Sequence, residues 1–134
     1  MPQFALTITP RSYELDALGH VNNNSISAWL EVVRTRLFEE VAAAESGGAG
    51  FGWVLASLHI DFARETFYGH DVEARVVDVR PGNSSVTIDC EMYQRGEKTV
   101  FGRAVMVHLD PDSGSSSPMP AAVRSRFASY AAPA

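Results

Sequence analysis

The sequence predicts an α+β domain in which one long helix covers a single antiparallel sheet. Three observations predict it. Apolar residues recur at three- and four-residue steps in one long stretch, from Ile26 to Val41, which is the spacing of one helix face. Beyond Gly47 and Gly48 the period changes to two, the alternation of strands. The alternating runs are joined by short turn-forming segments, which favour antiparallel neighbours. The 134 residues suit one domain, spanning 1–134.

The first element is a strand over 3–13, where Phe4, Leu6 and Ile8 alternate with Ala5, Thr7 and Thr9. A link at 14–22 carries Asp16, Gly19 and His20. The helix is expected from about Asn24 to Glu45, with Ile26, Trp29, Leu30, Val33, Leu37 and Val41 as its stripe. Asn22, Asn23, Asn24 and Ser25 are all good N-caps, more than one helix start needs. Gly47 and Gly48 are natural stops. Residues 52–64 alternate with Val54, Ala56, Leu58, Ile60 and Phe62 on one face, and residues 71–80 form a valine-rich strand. Pro81-Gly82-Asn83 signals a turn. Residues 84–94 alternate again, with Val86, Ile88, Cys90 and Met92 on one side. Arg95-Gly96-Glu97 turns into a last strand over 98–109, and 120–130 suits a short tail helix. One helix covers one sheet face, so the other face or an edge is left for a second subunit.

Composition narrows the function. The chain is 46% hydrophobic and 20% charged, with formal net charge −5 and no basic block. That argues against nonspecific binding of nucleic acid or of an anionic membrane. The single cysteine, Cys90, cannot make an internal disulfide and suits a reducing compartment, so a cytoplasmic protein is expected. The opening residues lack the pattern of a signal peptide, and no apolar stretch is long enough to span a bilayer. No G-x-S-x-G elbow, P-loop or G-x-G-x-x-G occurs. His20, His59, His70 and His108 lack metal-ligand spacing, so no metal is expected.

Several polar residues read as structural. Cys90 keeps step with Val86, Ile88 and Met92 and so belongs to the core. Trp29 and Phe38 sit at helical spacing and read as packing. His59 and Asp61 share a strand face and read as a solvated or interface pair. Glu31 and Arg34, three apart on the helix, read as a surface or interface ion pair. Asp16 is different. A loop aspartate commonly closes an Asx-turn, but here capping groups are already in excess. A helix N-terminus offers free N–H groups and partial positive charge, which can hold a carbonyl oxygen as it becomes an oxyanion. A nearby carboxylate can then attack the carbonyl or draw a proton from water. Gly19 permits the sharp path that returns Asp16 to the helix head.

The same stretch, "D-x-x-G-H-V-N-N" from Asp16 to Asn23, followed by an aromatic-bearing helix with "E-x-x-R", resembles the hot-dog-fold acyl-CoA thioesterases of the 4-hydroxybenzoyl-CoA thioesterase type. It is most like the bacterial long-chain acyl-CoA thioesterases, and "LDALGHVNN…W" also looks like plant acyl-carrier-protein thioesterases. "HIDFARETFYGHDVEARVVDVRPGNSSVTIDCEM" and "GEKTVFGRAVMVHLDPDSG…PMP" look like the family's later strands and tail.

The resemblance implies a curved five-stranded sheet wrapped around a long central helix, assembled as a homodimer or homotetramer. It implies hydrolysis of an acyl-CoA thioester, with no cofactor beyond the CoA of the substrate. Asp16 matches the catalytic carboxylate, Asn23 the backbone N–H that polarises the thioester carbonyl, and His20 the motif histidine, expected to orient Asp16 or water. Asn22 matches a structural cap, and Glu31 and Arg34 a structural pair. Arg64, Arg95 and Lys98, with Ser84 and Ser85, are the expected contacts for CoA by their places at strand ends and turns. The chain departs from the family at Ile26, where tyrosine is usual, at Glu65, where proline is usual, and at Leu18, where the plant motif has asparagine. Other readings are an acyl-carrier-protein thioesterase, a non-catalytic acyl-CoA binder, and an enoyl-thioester hydratase. The hydratase motif needs a second aspartate where Asn22 stands.

Overall fold

A computed structural model describes residues 4–46 and 52–133. The elements run β1 (Phe4–Ile8), a 3-10 turn (Ser12–Glu14), α1 (Asn23–Ser46), β2 (Trp53–Phe62), β3 (Val72–Pro81), β4 (Ser85–Gln94), β5 (Glu97–His108) and α2 (Ala121–Ala128). The strands form one sheet in the order β1-β3-β4-β5-β2, and every neighbouring pair is antiparallel. The first strand stops five residues short of the expected boundary, just before Pro10, which has no N–H to donate to a ladder. The expected helix stops, Gly47 and Gly48, lie outside the described residues.

With 24 residues α1 is about 36 Å long. Its stripe lies against the sheet: Val33 and Leu37 are fully buried, and Ile26, Leu30 and Val41 nearly so. Burying a side chain of this size is worth about 1.5–3 kcal/mol, so the stripe anchors the helix across the sheet. Opposite it, the central strand β4 buries Val86, Ile88, Cys90 and Met92, as their alternation predicts. Burial pushes the Cys90 thiol up to about 12, which removes its thiolate as a nucleophile near neutral pH. Gly102 of β5 lets the helix come close. A Cβ there would stand 2.9 Å from Leu30 Cδ1.

Two expectations fail, each for a physical reason. In β2 the register shifts between Leu55 and Ser57. The extra residue reverses the alternation ahead of it. Trp53 therefore turns inward, its ring centroid 5.0 Å from Phe38 and 5.8 Å from Phe127, while Val54 is 44% exposed. Beyond the bulge Ile60 packs on the core as expected. The second is the surface placement of Arg34. The side chain makes no ion pair with Glu31 among the described residues and is only 7% exposed. Four residues from Leu30, it lies only about 40° around the helix from the centre of the stripe, so it goes under with its neighbours.

α2 closes one end of the helix-sheet sandwich, with Phe127 and Val123 packed near Leu37, Phe38 and Val79. The outer sheet face is polar. Asp89 accepts two hydrogen bonds from Arg103, at 2.7 and 2.9 Å, and one from Arg80 at 3.1 Å. Burial pushes its carboxyl up, but the two guanidinium groups outweigh that and hold it below the usual carboxylate range. His59 and Asp61 meet at 3.0 Å on this face and are well exposed, the solvated pair their spacing suggests.

Candidate active site

The link between β1 and α1 folds into a tight hairpin. Leu15 bridges Val21, and His20 bridges Phe67 in the β2–β3 connection. Asp16 N–H donates to His20 O at 2.7 Å and Gly19 N–H to Asp16 O at 3.1 Å. Gly19 sits at φ +82°, a left-handed conformation that favours glycine. Asp16 Oδ1 accepts from the Leu18 and His20 N–H groups at 2.9 and 3.1 Å. Half of the carboxylate thus closes an Asx-turn. Oδ2 has no partner among the described residues, and the residue is exposed.

The helix head accounts for its N–H groups one by one. Asn22 is the N-cap: its N–H donates to Glu14 O at 2.7 Å and its carbonyl accepts from Ser25 and Ile26. Its side-chain Oδ1 accepts from Asn24 N–H at 2.8 Å. Of the four donors that a helix start leaves open, Asn22, Asn24 and Ser25 are therefore committed. The Asn23 N–H has no partner among the described residues. Asp16, His20 and Asn23 line one open cleft of about 400 Å³, together with Leu18, Ile26 and Phe62. Glu14, whose backbone holds the cap, also accepts from Trp29 Nε1 at 2.9 Å, which ties the hairpin to the first turns of α1.

His20 lies in the cleft, but its ring does not turn to Asp16. Nε2 lies 2.6 Å from Glu65 Oε2, and the ring stands edge-on to Phe67 at 5.3 Å. What orients Asp16 is the main-chain N–H of His20. Glu65 is the residue that sequence reasoning missed as a site member. Its only signal was the departure from the usual proline.

The expected CoA contacts divide. Arg64 lines the Asp16 cleft and also a neighbouring cleft of about 620 Å³, shared with Glu65, Phe67, Gln94, Arg95, Glu97 and Thr99. Arg64 Nε is 3.5 Å from Glu97. Gln94, 5% exposed, clamps the floor of that cleft by bonding Phe67 N, Phe67 O and His70 O. Lys98 does not belong here: strand alternation turns it away from Thr99, and Glu91 holds it at 2.9 Å. Ser84 and Ser85 lie at the other end of β4, about 30 Å from Gln94 in the same chain. Among the described residues no group of three or more His, Cys, Asp or Glu side chains could hold a metal ion. No helix among them is long and apolar enough to cross a membrane.

A five-stranded antiparallel sheet around a long helix, with a carboxylate and the first residue of that helix lining one cleft, defines a class. Residues 10–127 match the thioesterase-like superfamily. A predicted thioesterase from Bacillus stearothermophilus is 31% identical, with TM-score 0.88, over 99% of this chain and all of that one. A thioesterase from Thermus thermophilus, solved with coenzyme A and Zn, is 30% identical, with TM-score 0.81, over 94% of this chain and 92% of that one. A 1,4-dihydroxy-2-naphthoyl-CoA thioesterase from Synechocystis shares the fold, with TM-score 0.81 and 13% identity over 94% of this chain and 96% of that one. A search of curated proteins finds no significant match. The chain belongs to the thioesterase-like superfamily, with the hot-dog fold. It is a thioester hydrolase.

Proposed function

We propose that the substrate is an acyl-CoA, hydrolysed to the free acid and CoA in the Asp16 cleft. The observation that carries this is the Asn23 N–H, left without a partner among the described residues at the helix head, in a residue that lines the same cleft as Asp16. The thioester carbonyl oxygen docks on that N–H, where the helix dipole favours the growing negative charge. Asp16 then acts by one of two routes. As general base it takes a proton from water, hydroxide attacks the carbonyl carbon, the C–S bond breaks, and the proton passes to the thiolate. As nucleophile it attacks first, CoA leaves as thiolate, and water hydrolyses the resulting anhydride. His20, held by Glu65, borders the reacting centre. The enzyme acts as a homodimer or homotetramer in the cytoplasm. Among the described residues β2 is a ten-residue edge strand paired only with β5, with Val54, Leu55 and Phe62 exposed along it. Such an edge is an aggregation hazard unless another strand covers it.

Arg64 joins the two clefts, and Arg95 lies in the second, so the CoA phosphates are assigned to that pair. The double variant Arg64→Glu/Arg95→Glu should raise KM for an acyl-CoA by about tenfold to a hundredfold, with kcat little changed. KM for the same acyl group on a short, phosphate-free thiol carrier should not move. Steady-state thiol release on both substrates checks this. Equal effects on the two would remove CoA recognition from this cleft.

A further inference from the structure

Thr66, Gln94 and Thr99 are the uncharged polar residues buried among the described residues. Gln94 bonds the backbone of Phe67 and His70, and the Thr99 hydroxyl donates to Met92 O at 3.3 Å. Thr66 differs. It is only 4% exposed, yet its hydroxyl has no hydrogen-bond partner among the described residues. A hydroxyl sealed away from water without a partner costs free energy. Among the described residues no sealed side-chain nitrogen or oxygen is left in that state, so the Thr66 oxygen keeps a small opening. Thr66 lines the cleft of Asp16, His20 and Asn23, and that cleft is what its hydroxyl meets.

The backbone that carries this hydroxyl is pinned on both sides. Thr66 O accepts from the Val21 N–H at 2.8 Å, just ahead of the N-cap Asn22. The next residue, Phe67, bridges His20 and donates its N–H to the Gln94 side chain at 2.9 Å. The segment is thus tied to the helix head and to the end of β4. Branching at Cβ further restricts the threonine side chain. A donor held in place before the reaction costs no reorganisation during it. An oxyanion accepts more than one hydrogen bond, and the Asn23 N–H offers one.

Building on the Asp16 cleft as the site of hydrolysis, we infer that Thr66 is a further catalytic residue, its hydroxyl the second donor to the thioester oxygen beside the Asn23 N–H. The hydroxyl keeps its proton and shares it in a hydrogen bond. That bond strengthens as charge builds on the oxygen, so it acts on kcat more than on KM.

Thr66→Val and Thr66→Ser separate the hydroxyl from the shape of the side chain. Valine keeps the branching and nearly the volume but removes the donor, and kcat should fall at least about tenfold with KM changed less than about threefold. Serine keeps the donor and should stay within about threefold of the wild-type kcat. The urea midpoint of Thr66→Val should not fall, because no hydrogen bond within the chain is lost. If the valine variant does not fold, Thr66→Ala takes its place: alanine and serine both lose the methyl group, and only serine keeps the hydroxyl. Kinetics are read on the thioester that the wild type hydrolyses fastest among acyl-CoAs and acyl carrier protein thioesters. Wild-type kcat without the hydroxyl, an effect confined to KM, or a loss that serine does not restore would each overturn the role. Hydrolysis of carrier-protein thioesters alone would remove the acyl-CoA reading, and the same variants on that substrate would still decide Thr66.

Discussion

Asp16→Asn is expected to lower kcat by about 10²–10⁴-fold, the usual range for losing a positioned base. The substitution separates two roles that the wild-type carboxylate combines. Oδ1 closes the Asx-turn with Leu18 and His20, and an asparagine carbonyl oxygen can accept the same two bonds. The hairpin, the helix head and the cleft should therefore survive, and substrate should still bind. What is lost is the charge and basicity of the second oxygen, which the turn does not use. If Asp16 served the turn alone, turnover would stay near normal. Asp16→Ala should slow the reaction to a similar degree and also lower the unfolding free energy, since it removes the turn bonds too. Thiol-release kinetics paired with urea unfolding of both variants reads the two effects separately.

The second large effect is expected at Asn23. It is the first residue of α1, a position where proline is well tolerated because its fixed φ suits the helix start. The residue before it, Asn22, is the N-cap, and N-caps adopt the extended conformation that precedes proline. Asn23→Pro therefore deletes the N–H that has no internal partner and leaves the cap bonds of Asn22 in place. If that N–H holds the oxyanion, kcat should fall by about 10²–10³-fold, the typical loss of one such donor. KM should change far less, because the bond strengthens in the transition state. Asn23→Ala keeps the N–H and should retain most of the activity, which isolates the backbone group from the side chain. A proline variant with wild-type kcat would move the oxyanion site elsewhere.

The parts of this fold that were legible in the sequence rest on local pattern. The α1 stripe and the alternation of Val86, Ile88, Cys90 and Met92 need only helical or strand periodicity, and the structure buries both. The hairpin at Asp16 was legible because its residue types restrict the chain, and Gly19 takes the left-handed turn they imply. What was hidden depends on pairing between distant segments. The β2 bulge exists only against β5, so the alternation of 52–64 gave no sign that Trp53 rather than Val54 turns inward. Arg34 carries a charge that reads as surface, and its burial follows from the close approach of α1 that Gly102 allows. Lys98 and Ser85 looked equivalent to Arg95 as residues near turns. The direction of β4 and the side-chain alternation of β5 separate them. Glu65 meets His20 only because the β2–β3 connection is stitched to the hairpin, forty-five residues earlier in the chain.

The most direct test of the central claim is thiol release by the wild-type chain from a panel of acyl-CoAs of short, long and aromatic acyl groups, run beside the same acyl groups on acyl carrier protein. Hydrolysis of an acyl-CoA in the Asp16 cleft predicts CoA release from at least one acyl class, in step with free acid and at a higher kcat/KM than from the carrier protein. That turnover should be lost in Asp16→Asn. Release from the carrier protein alone, or acyl-CoA binding with no thiol released by a folded protein, would contradict it.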